Sequence, residues 1–292
     1  MRMQFLKNYG ELVENRLGEL LTSGEERYKV VLDAMRYSVM LGGKRLRPAV
    51  LLEFNRICGG KDESALDFAA ALEMIHTYSL IHDDLPCMDN DNVRRGKPAC
   101  HIAFGEANAL LAGDGLLTKA FETAAKSDGI PAETKLRAIS VLSECAGAHG
   151  MIGGQTIDLK YENHEIDIDA LLEMYELKTG ALIRAAAVIG SIIGGADEEK
   201  LKAADTYAKL IGLAFQIEDD ILDETGDSAT LGKPTGSDET NSKSTYLHFN
   251  GMEKSKRAVE DLTKKAKASL EIFGEDAKNL CDLADFLVSR KY

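Results

Sequence analysis

The chain has 292 residues, 45% of them hydrophobic, and carries a formal net charge of −13 at pH 7. Length and composition are typical of a folded globular chain with a large core, and we predict one domain over residues 1–292. The acidic balance, 48 Asp and Glu against 35 Lys and Arg, argues against a protein that binds nucleic acid or anchors on anionic lipid. Small anionic substrates remain compatible with it.

The first predicted element is a helix, because apolar residues from Phe5 to Leu20 recur at helical spacing and form no continuous signal-peptide run. The longest apolar run, residues 185–196, is too short to cross a bilayer. The cysteines are odd in number, scattered, and contain no C-x-x-C pair, which is typical of free thiols in a reducing compartment. We therefore expect a cytoplasmic protein.

Helical periodicity continues along nearly the whole chain, and alternating strand patterns are nearly absent. The breakers between the periodic segments are short, and no flexible linker or fixed-period repeat separates two units. The fold class is all-α, with about ten helices whose central members are apolar on most faces. The predicted helices cover residues 1–21, 26–40, 48–58, 64–82, 103–126, 131–148, 168–193, 198–223 and 255–289.

A glycine-opened basic loop, "GGKRLRP", covers residues 42–48 between the second and third helices. Lys44, Arg45 and Arg47 carry the ammonium and guanidinium groups that bind phosphate oxygens. For these three basic residues alone, a solubilising surface turn is the simpler and favoured interpretation.

The fourth helix runs into an acidic cluster, "HDDLPCMDNDNVRRG", at residues 82–96. Carboxylates about 4 Å apart repel by roughly 4 kcal/mol at a surface-like dielectric, so a cluster needs a counter-charge. Two interpretations compete: a solvated acidic loop, or a cation site beside an anion site formed by Arg94 and Arg95.

The geometry of this cluster depends on Pro86. Asp83 and Asp89 are six residues apart, about 240° on an ideal helix, and so would not share a face. Pro86 cannot continue the hydrogen-bond ladder, so the chain leaves the helix there and could return Asp89 to the side of Asp83. His76 lies two turns before Asp83 on the same face of the helix.

Two later segments carry further polar groups. Lys178 interrupts the apolar "LKTGALI", where a buried lysine needs a partner and a surface lysine would extend into water. In "FQIEDDILDETGD", Asp219 and Asp223 share a helix face, with Gln216 one turn earlier; such paired carboxylates suit hard cations. The long polar segment that follows, residues 224–245, has the length of a lid.

These motifs together carry a resemblance. "GGKRLRP", "HTYSLIHDDLPCMDNDNVRRGKP", "GGQTIDL", "LKTGALI", "FQIEDDILDETGD" and "LGKPTGSDETNSKSTY" occur in the order of the trans-isoprenyl diphosphate synthases. The resemblance covers about residues 36–246. The chain looks most like the bacterial-type farnesyl diphosphate synthases, which are close to the geranylgeranyl diphosphate synthases, because four residues separate the second and last aspartates of "DDLPCMD".

The resemblance implies the isoprenoid synthase fold, a bundle of ten or more mostly antiparallel helices around a deep apolar cavity. It also implies a pair of Asp-rich walls that hold three Mg²⁺ ions on the allylic diphosphate. The implied metal ligands are Asp83, Asp84, Asp89, Asp219, Asp220 and Asp223, of which Asp83, Asp89 and Asp219 are the strongest expectations.

By the same resemblance the remaining site residues divide between two diphosphates and the reacting carbons. The allylic diphosphate would contact Arg94, Lys178, Lys233 and Lys243; isopentenyl diphosphate would contact Lys44, Arg47, His76 and Arg95; and the reacting carbons would lie near Thr179 and Gln216.

The implied reaction is a head-to-tail condensation of isopentenyl diphosphate with dimethylallyl and geranyl diphosphates. The allylic C–O bond ionises, so the leaving diphosphate must be stabilised by cations and the cavity must exclude water. We expect the loop around Lys233 to close the site. That the released diphosphate takes the proton is implied by the resemblance only.

Product length depends on how deep the cavity runs below Asp83. Tyr78 and Ser79 lie five and four residues before Asp83, roughly 6–7 Å down the helix. On an ideal wheel Ser79 lies beneath Asp83, so spacing alone does not identify the floor. By resemblance, an aromatic residue at Tyr78 goes with (2E,6E)-farnesyl diphosphate, a C15 product; geranylgeranyl diphosphate, C20, is the alternative.

Other classes fit less well. A non-catalytic helical partner subunit of a prenyltransferase would share the fold, but it should lack an Asp motif, and this chain has both. A terpene cyclase has no need of the basic loop at residues 42–48, and a metal phosphohydrolase needs histidines at spacings that are absent. The family habit is a homodimer, for which the apolar helix at residues 104–117 could supply a face.

Overall fold

The computed structural model describes residues 3–22, 24–225 and 245–288. In this part of the chain, helices account for almost all regular structure, which confirms the all-α prediction. The first eight α-helices are α1 (Gln4–Leu20), α2 (Lys29–Val39), α3 (Leu46–Ile57), α4 (Asp62–Asp83), α5 (Cys100–Phe104), α6 (Glu106–Lys126), α7 (Ala132–Ala146) and α8 (Met151–Tyr161).

The later elements include two helices of other types. A π-helix joins α9 to α10, and a 3₁₀-helix joins the last two α-helices. They are α9 (Ile168–Met174), the π-helix (Tyr175–Gly180), α10 (Ala181–Ile193), α11 (Glu198–Thr225), α12 (Tyr246–Asn250), α13 (Met252–Ser269), the 3₁₀-helix (Glu271–Ala277) and α14 (Lys278–Val288).

Between α4 and α5 the chain forms a two-stranded antiparallel hairpin, β1 (Val93–Arg94) and β2 (Lys97–Pro98). Its two turn residues both have positive φ, 51° at Arg95 and 74° at Gly96. Positive φ at both positions is the requirement of a tight hairpin turn whose twist matches its strands. The turn therefore presents the two adjacent arginines on a rigid support beside the end of α4.

One cluster of buried apolar side chains runs from Tyr9 in α1 to Leu287 in α14. Helices α3, α4 and α10 lie at its centre, and α4 and α10 bury residues on most of their faces, as an all-round apolar helix must. Close approach depends on small residues: a Cβ at Gly190 of α10 would lie 2.1 Å from the Leu51 carbonyl oxygen of α3. These packed helices form the rigid support of the site.

The structure differs from the predicted elements in several places. Helix α8 was not predicted, because Gly153 and Gly154 lower helix propensity, whereas in the structure they allow close packing. The predicted helix 103–126 is broken at Gly105, where φ is 83°, and the predicted helix 255–289 is broken at Gly274, where φ is 58°. The predicted helix 168–193 contains the π-helix.

No helix within residues 3–22, 24–225 and 245–288 is long and apolar enough to cross a membrane.

Candidate active site

The first acidic motif lies where α4 ends and the chain loops back on itself. The backbone N–H of Asp89 donates to the carbonyl oxygen of Asp83 at 2.8 Å, and the N–H of Asn90 donates to that of Leu85 at 3.1 Å. Asn90 takes a positive φ of 54°, which asparagine tolerates better than most residues. The expected return of Asp89 to Asp83 after Pro86 is confirmed.

Asp83 lies in an environment that opposes its charge. Burial raises the pKa of its carboxyl, Lys178 opposes this shift and the nearby Asp89 adds to it, and the net pKa is about 6. A carboxylate that is costly to ionise alone is stabilised when a cation arrives. Asp83 is therefore suited to binding a positively charged species at the mouth of the cavity described below.

Asp84 has different surroundings from its two motif neighbours. Its carboxylate is buried and accepts hydrogen bonds from Arg94, from Nε at 3.0 Å and from Nη2. Asp91 lies 3.8 Å from the same guanidinium. The sequence grouped Asp84 with the metal ligands and Arg94 with the diphosphate, whereas in the structure the two bind each other, because each buried charge needs its counter-charge.

The second acidic motif, on α11, divides in the same way. Asp220 is buried and accepts from the Tyr175 hydroxyl at 2.6 Å and from the backbone N–H of Tyr246 at 3.0 Å. Asp219 and Asp223 are half-buried, one turn apart. In both motifs the middle aspartate is thus bound to protein groups, and the outer ones lie closer to solvent.

Lys178 and Thr179 project from the π-helix. Lys178 Nζ donates to Asp158 Oδ2 of α8 at 2.5 Å, and Thr179 Oγ1 donates to Gln216 Oε1 of α11 at 2.9 Å. The backbones are very close here, since a Cβ at Gly154 would lie 2.1 Å from the Lys178 nitrogen. Thr179 and Gln216, both expected near the reacting carbons, thus bind each other directly, and Lys178 has the partner that a partly buried ammonium needs.

Three cationic or titratable groups, Arg47, His76 and Arg95, form the basic side of the site. Arg47 Nη1 lies 3.5 Å from His76 Nε2, and its own Nε is buried without a hydrogen-bond partner. Burial and the positive charge of Arg47 hold the pKa of His76 well below its usual range, so His76 is neutral. Arg95 donates to the Gly42 carbonyl, and a Cβ at Gly43 would overlap its guanidinium.

The other two basic residues of the loop "GGKRLRP" have different surroundings. Lys44 is exposed, whereas Arg45 is buried with its Nη1 2.7 Å from Glu73 Oε1 and its Nη2 2.6 Å from the Val39 carbonyl oxygen. Its residue type suits phosphate binding, but the resemblance implies no diphosphate contact for Arg45. In the structure it joins helices α2, α3 and α4, because a buried guanidinium with full partners is a structural element.

A cavity of about 660 Å³ extends below the first acidic motif. Tyr78, Ser79 and Asp83 from α4 line it together with Lys178 and Thr179. The Tyr78 ring packs edge-on against His82 at 5.7 Å, its hydroxyl has no hydrogen-bond partner, and burial raises its pKa to about 12. Tyr78 and Ser79, the two residues considered as the floor of the cavity, therefore both line its wall.

Three polar residues near this cavity were not assigned from the sequence. Asp158 and Gln155 lie in "GGQTIDL", where they carried no assigned role; Gln155 Nε2 is buried without a partner on the cavity wall. Tyr175 precedes "LKTGALI" and had no signal, because a tyrosine among apolar residues resembles an ordinary core position. Lys233 and Lys243, with residues 226–244 of the expected lid, lie outside the described residues.

The donor set fits a hard divalent cation that shares its coordination with substrate. Carboxylate oxygens are the ligands that Mg²⁺ prefers, and it commonly binds through one or two of them plus phosphate oxygens. Among the residues that the structure describes, no three His, Cys, Asp or Glu side chains converge on one point as a preformed cage. The carboxylates of the two acidic motifs are the ligand type for a metal that binds together with a diphosphate.

Comparison with known proteins agrees with this geometry. The family model for polyprenyl synthetase matches residues 28–280. The farnesyl diphosphate synthase of Bacillus subtilis (strain 168) is 40% identical over 290 residues, 99% of this chain and 98% of the relative. The geranylgeranyl diphosphate synthase of Cyanophora paradoxa is 42% identical over 290 residues, 99% of this chain and 96% of the relative.

The fold is shared with solved structures. The apo crystal structure of an FPP/GFPP synthase from Zymomonas mobilis superposes with a TM-score of 0.88 at 35% identity, covering 99% of this chain and 100% of that one. Together with the family match, this similarity confirms the predicted isoprenoid synthase fold. The chain belongs to the polyprenyl synthetase family and is a trans-prenyltransferase, of a class that uses isoprenoid diphosphates and generally a divalent metal.

Proposed function

We propose that the chain is a farnesyl diphosphate synthase. It condenses isopentenyl diphosphate with dimethylallyl diphosphate and then with geranyl diphosphate, releasing diphosphate and (2E,6E)-farnesyl diphosphate. The observation that carries the C15 product is the Tyr78 ring, buried in the cavity wall one and a half turns before Asp83 and held against His82. A growing chain longer than C15 would meet this ring.

The two acidic motifs bind the metal-diphosphate end of the allylic substrate. The proposed metal ligands are Asp83, Asp89, Asp219 and Asp223. Asp84 and Asp220 are held by buried hydrogen bonds to Arg94 and Tyr175, and they support the positions of these ligands. Mg²⁺, three ions by the proposal, supplies electrostatic stabilisation of the departing diphosphate when bound.

Cationic side chains share that stabilisation. Lys178 holds its ammonium close enough to Asp83 to affect its pKa, and Asp158 keeps it at the mouth of the cavity. Arg94 stands beside Asp84, and Lys233 and Lys243 belong to the same proposed set. As the allylic C–O bond breaks, the charges of Lys178 and Arg94 face the diphosphate without reorganising, which lowers the barrier to ionisation.

The allylic carbocation forms beside Thr179 and Gln216. The hydrogen bond between them fixes the orientation of two polar dipoles next to the reacting carbons, and the apolar wall keeps water away. The double bond of isopentenyl diphosphate attacks C1 of the allylic cation, which moves the positive charge to C3 of the isopentenyl unit. Loss of a proton from C2 of that unit forms the new double bond and restores neutrality. The oxygen of the released diphosphate accepts this proton.

Isopentenyl diphosphate occupies the basic side of the site. Arg47, His76 and Arg95 are its proposed contacts, with Lys44 at the solvent edge. His76 is neutral and can accept one hydrogen bond while donating another, so it links Arg47 to the substrate without adding a further charge. The buried unpaired Nε of Arg47 provides a donor for a phosphate oxygen.

The proposal extends to assembly, compartment and domain structure. A homodimer is supported by exposed apolar side chains on α5 and α6, among them Ile102, Leu110 and Leu111. A cytoplasmic location is supported by the five cysteines, all described and all free thiols. A single polyprenyl synthase domain over residues 1–292 is supported by the core that spans α1 to α14.

The second candidate function is a geranylgeranyl diphosphate synthase, because the relative from Cyanophora paradoxa is as similar as the farnesyl synthases. Purified protein with Mg²⁺, isopentenyl and dimethylallyl diphosphates, followed by mass spectrometry of the products, distinguishes the two. A C15 diphosphate is the expected result. A C20 product would support the same reaction with a deeper cavity floor. If no primer were condensed and the result matched the EDTA control, the non-catalytic partner subunit would be the remaining interpretation.

A further inference from the structure

Two hydrogen bonds join the π-helix to α11 as the rungs of a ladder. Tyr175 Oη donates to Asp220 Oδ2 at 2.6 Å, and Thr179 Oγ1 donates to Gln216 Oε1 at 2.9 Å. The donors are four residues apart on one helix, and the acceptors are four residues apart, in the opposite order, on the other. The two segments therefore run antiparallel, and both bonds specify one register.

Beyond the Thr179–Gln216 bond the two backbones approach each other closely. A Cβ at Gly212 of α11 would lie 3.1 Å from the Cα of Gly180, which is the last residue of the π-helix. Neither position carries a side chain that could hold the helices apart. Gly212, Gln216 and Asp220 thus form one face of α11, and the π-helix is seated along it.

On its other side the π-helix contacts α8. Gly154 allows the α8 backbone to reach Leu177 and Lys178, and Asp158 binds the Lys178 ammonium. A π-helix is rare and has poorer geometry than an α-helix, so contacts outside the segment must stabilise it. Relaxing to α-helical spacing would shift the register by one residue, about 100° of rotation, and would turn Lys178 and Thr179 away from the cavity.

We propose that Tyr175 is a positioning residue for prenyl transfer. Its hydroxyl fixes the first residue of the π-helix to the second acidic motif, so that Lys178 and Thr179 face the cavity. Tyr175 acts through Asp220 and touches no substrate. The inference rests on the roles proposed above for Lys178 and Thr179.

The test compares Tyr175→Phe with Tyr207→Phe. Both changes delete one buried hydroxyl and keep the ring; Tyr207 donates to the Leu280 carbonyl at 2.9 Å in the core, remote from the acidic motifs. Steady-state kinetics are measured with Mg²⁺, geranyl diphosphate and isopentenyl diphosphate. Hydrogen–deuterium exchange of residues 175–182 is measured on the metal-free proteins, which gives a readout independent of turnover.

For Tyr175→Phe we expect kcat to fall about ten- to a hundredfold, since small misplacements at a reacting centre cost that much. KM for isopentenyl diphosphate should stay within about twofold, because Arg47 and His76 lie on α3 and α4, away from the ladder. Exchange of residues 175–182 should accelerate in this variant alone. Tyr207→Phe should lower the melting temperature while leaving kcat within about twofold.

A Tyr175→Phe variant with the kcat and the local exchange of the wild type, or with losses no larger than those of Tyr207→Phe, would overturn the proposal. Should Tyr175→Phe fail to fold, Asp220→Asn, which keeps the shape and weakens the acceptor, takes its place with the same expectation for exchange. If the wild-type protein itself condenses no substrate, the proposed function fails instead, and the exchange result still decides whether Tyr175 holds the π-helix.

Discussion

Asp89 returns to the end of its own helix and donates its backbone N–H to the carbonyl oxygen of Asp83 at 2.8 Å. The bond closes a loop that contains Pro86 and brings two carboxylates to one place, although their spacing would separate them on a continuous helix. The loop also leaves Asp84 on the buried side, where Arg94 binds it. A short loop thus assigns different surroundings to the aspartates of one motif.

Replacing Asp89 with asparagine should abolish most of the activity. The carboxylate helps to hold a cation that stabilises the transition state by several kcal/mol, so its loss should lower kcat/KM by about 10²–10³-fold. The matched control is Asp91→Asn, two residues along the same loop, which should stay within about threefold. Steady-state kinetics at fixed Mg²⁺ measure both. Equal losses in the two variants would assign the effect to loop charge in general.

The raised pKa of Asp83 predicts that its carboxylate, although needed for activity, lowers the free energy of unfolding near neutral pH. Its pKa is about 6 when folded and near 3.8 when unfolded, so its contribution is fully favourable below pH 4 and is lost as the pH rises through 6. In metal-free protein at pH 8, Asp83→Asn should raise the free energy of unfolding by about 1–2 kcal/mol, after discount for partial exposure. The same variant should be inactive.

Urea unfolding in EDTA at pH 3 and pH 8 measures this effect. The difference between wild type and Asp83→Asn should appear at pH 8 and vanish at pH 3, where the Asp83 carboxyl is largely neutral in both the folded and the unfolded chain. A variant that is less stable than the wild type at pH 8 would mean that Asp83 forms favourable contacts that outweigh its burial.

Tyr78 should limit the length of the product. Tyr78→Ala removes the ring from the cavity wall, so products of C20 or longer should accumulate. Tyr78→Phe is the matched control: the hydroxyl has no hydrogen-bond partner, so its loss should leave a C15 product. Mass spectrometry of the diphosphates gives the answer directly, and an unchanged product from Tyr78→Ala would place the floor at another residue.

Asp158 should act through Lys178. In Asp158→Asn the ammonium loses its charged partner at 2.5 Å, so we expect kcat to fall about tenfold, the effect of a charged hydrogen bond worth about 1.5 kcal/mol. Asp285→Asn serves as control, since it breaks an exposed ion pair with Lys267 at 2.8 Å and should change kcat by less than twofold. Comparable effects in both would argue that charge alone matters.

The sequence predicted the helical class because burial of apolar side chains imposes a local period that can be counted without a structure. It also predicted the acidic motifs and the loop at Pro86, but not the hydrogen bond between Thr179 and Gln216. It missed α8, whose glycines lower helix propensity and are explained only by the close contact with Lys178.

Only the tertiary structure identifies the hydrogen bonds that distinguish one aspartate from the next. Asp84 with Arg94, Lys178 with Asp158, and Tyr175 with Asp220 are each ten or more residues apart in the chain. The pairing of such groups depends on how helices pack and in which register, and no local period encodes that register. Residue type and spacing determined which chemical groups this chain carries. The packing of α8, the π-helix and α11 decided which of those side chains face the site.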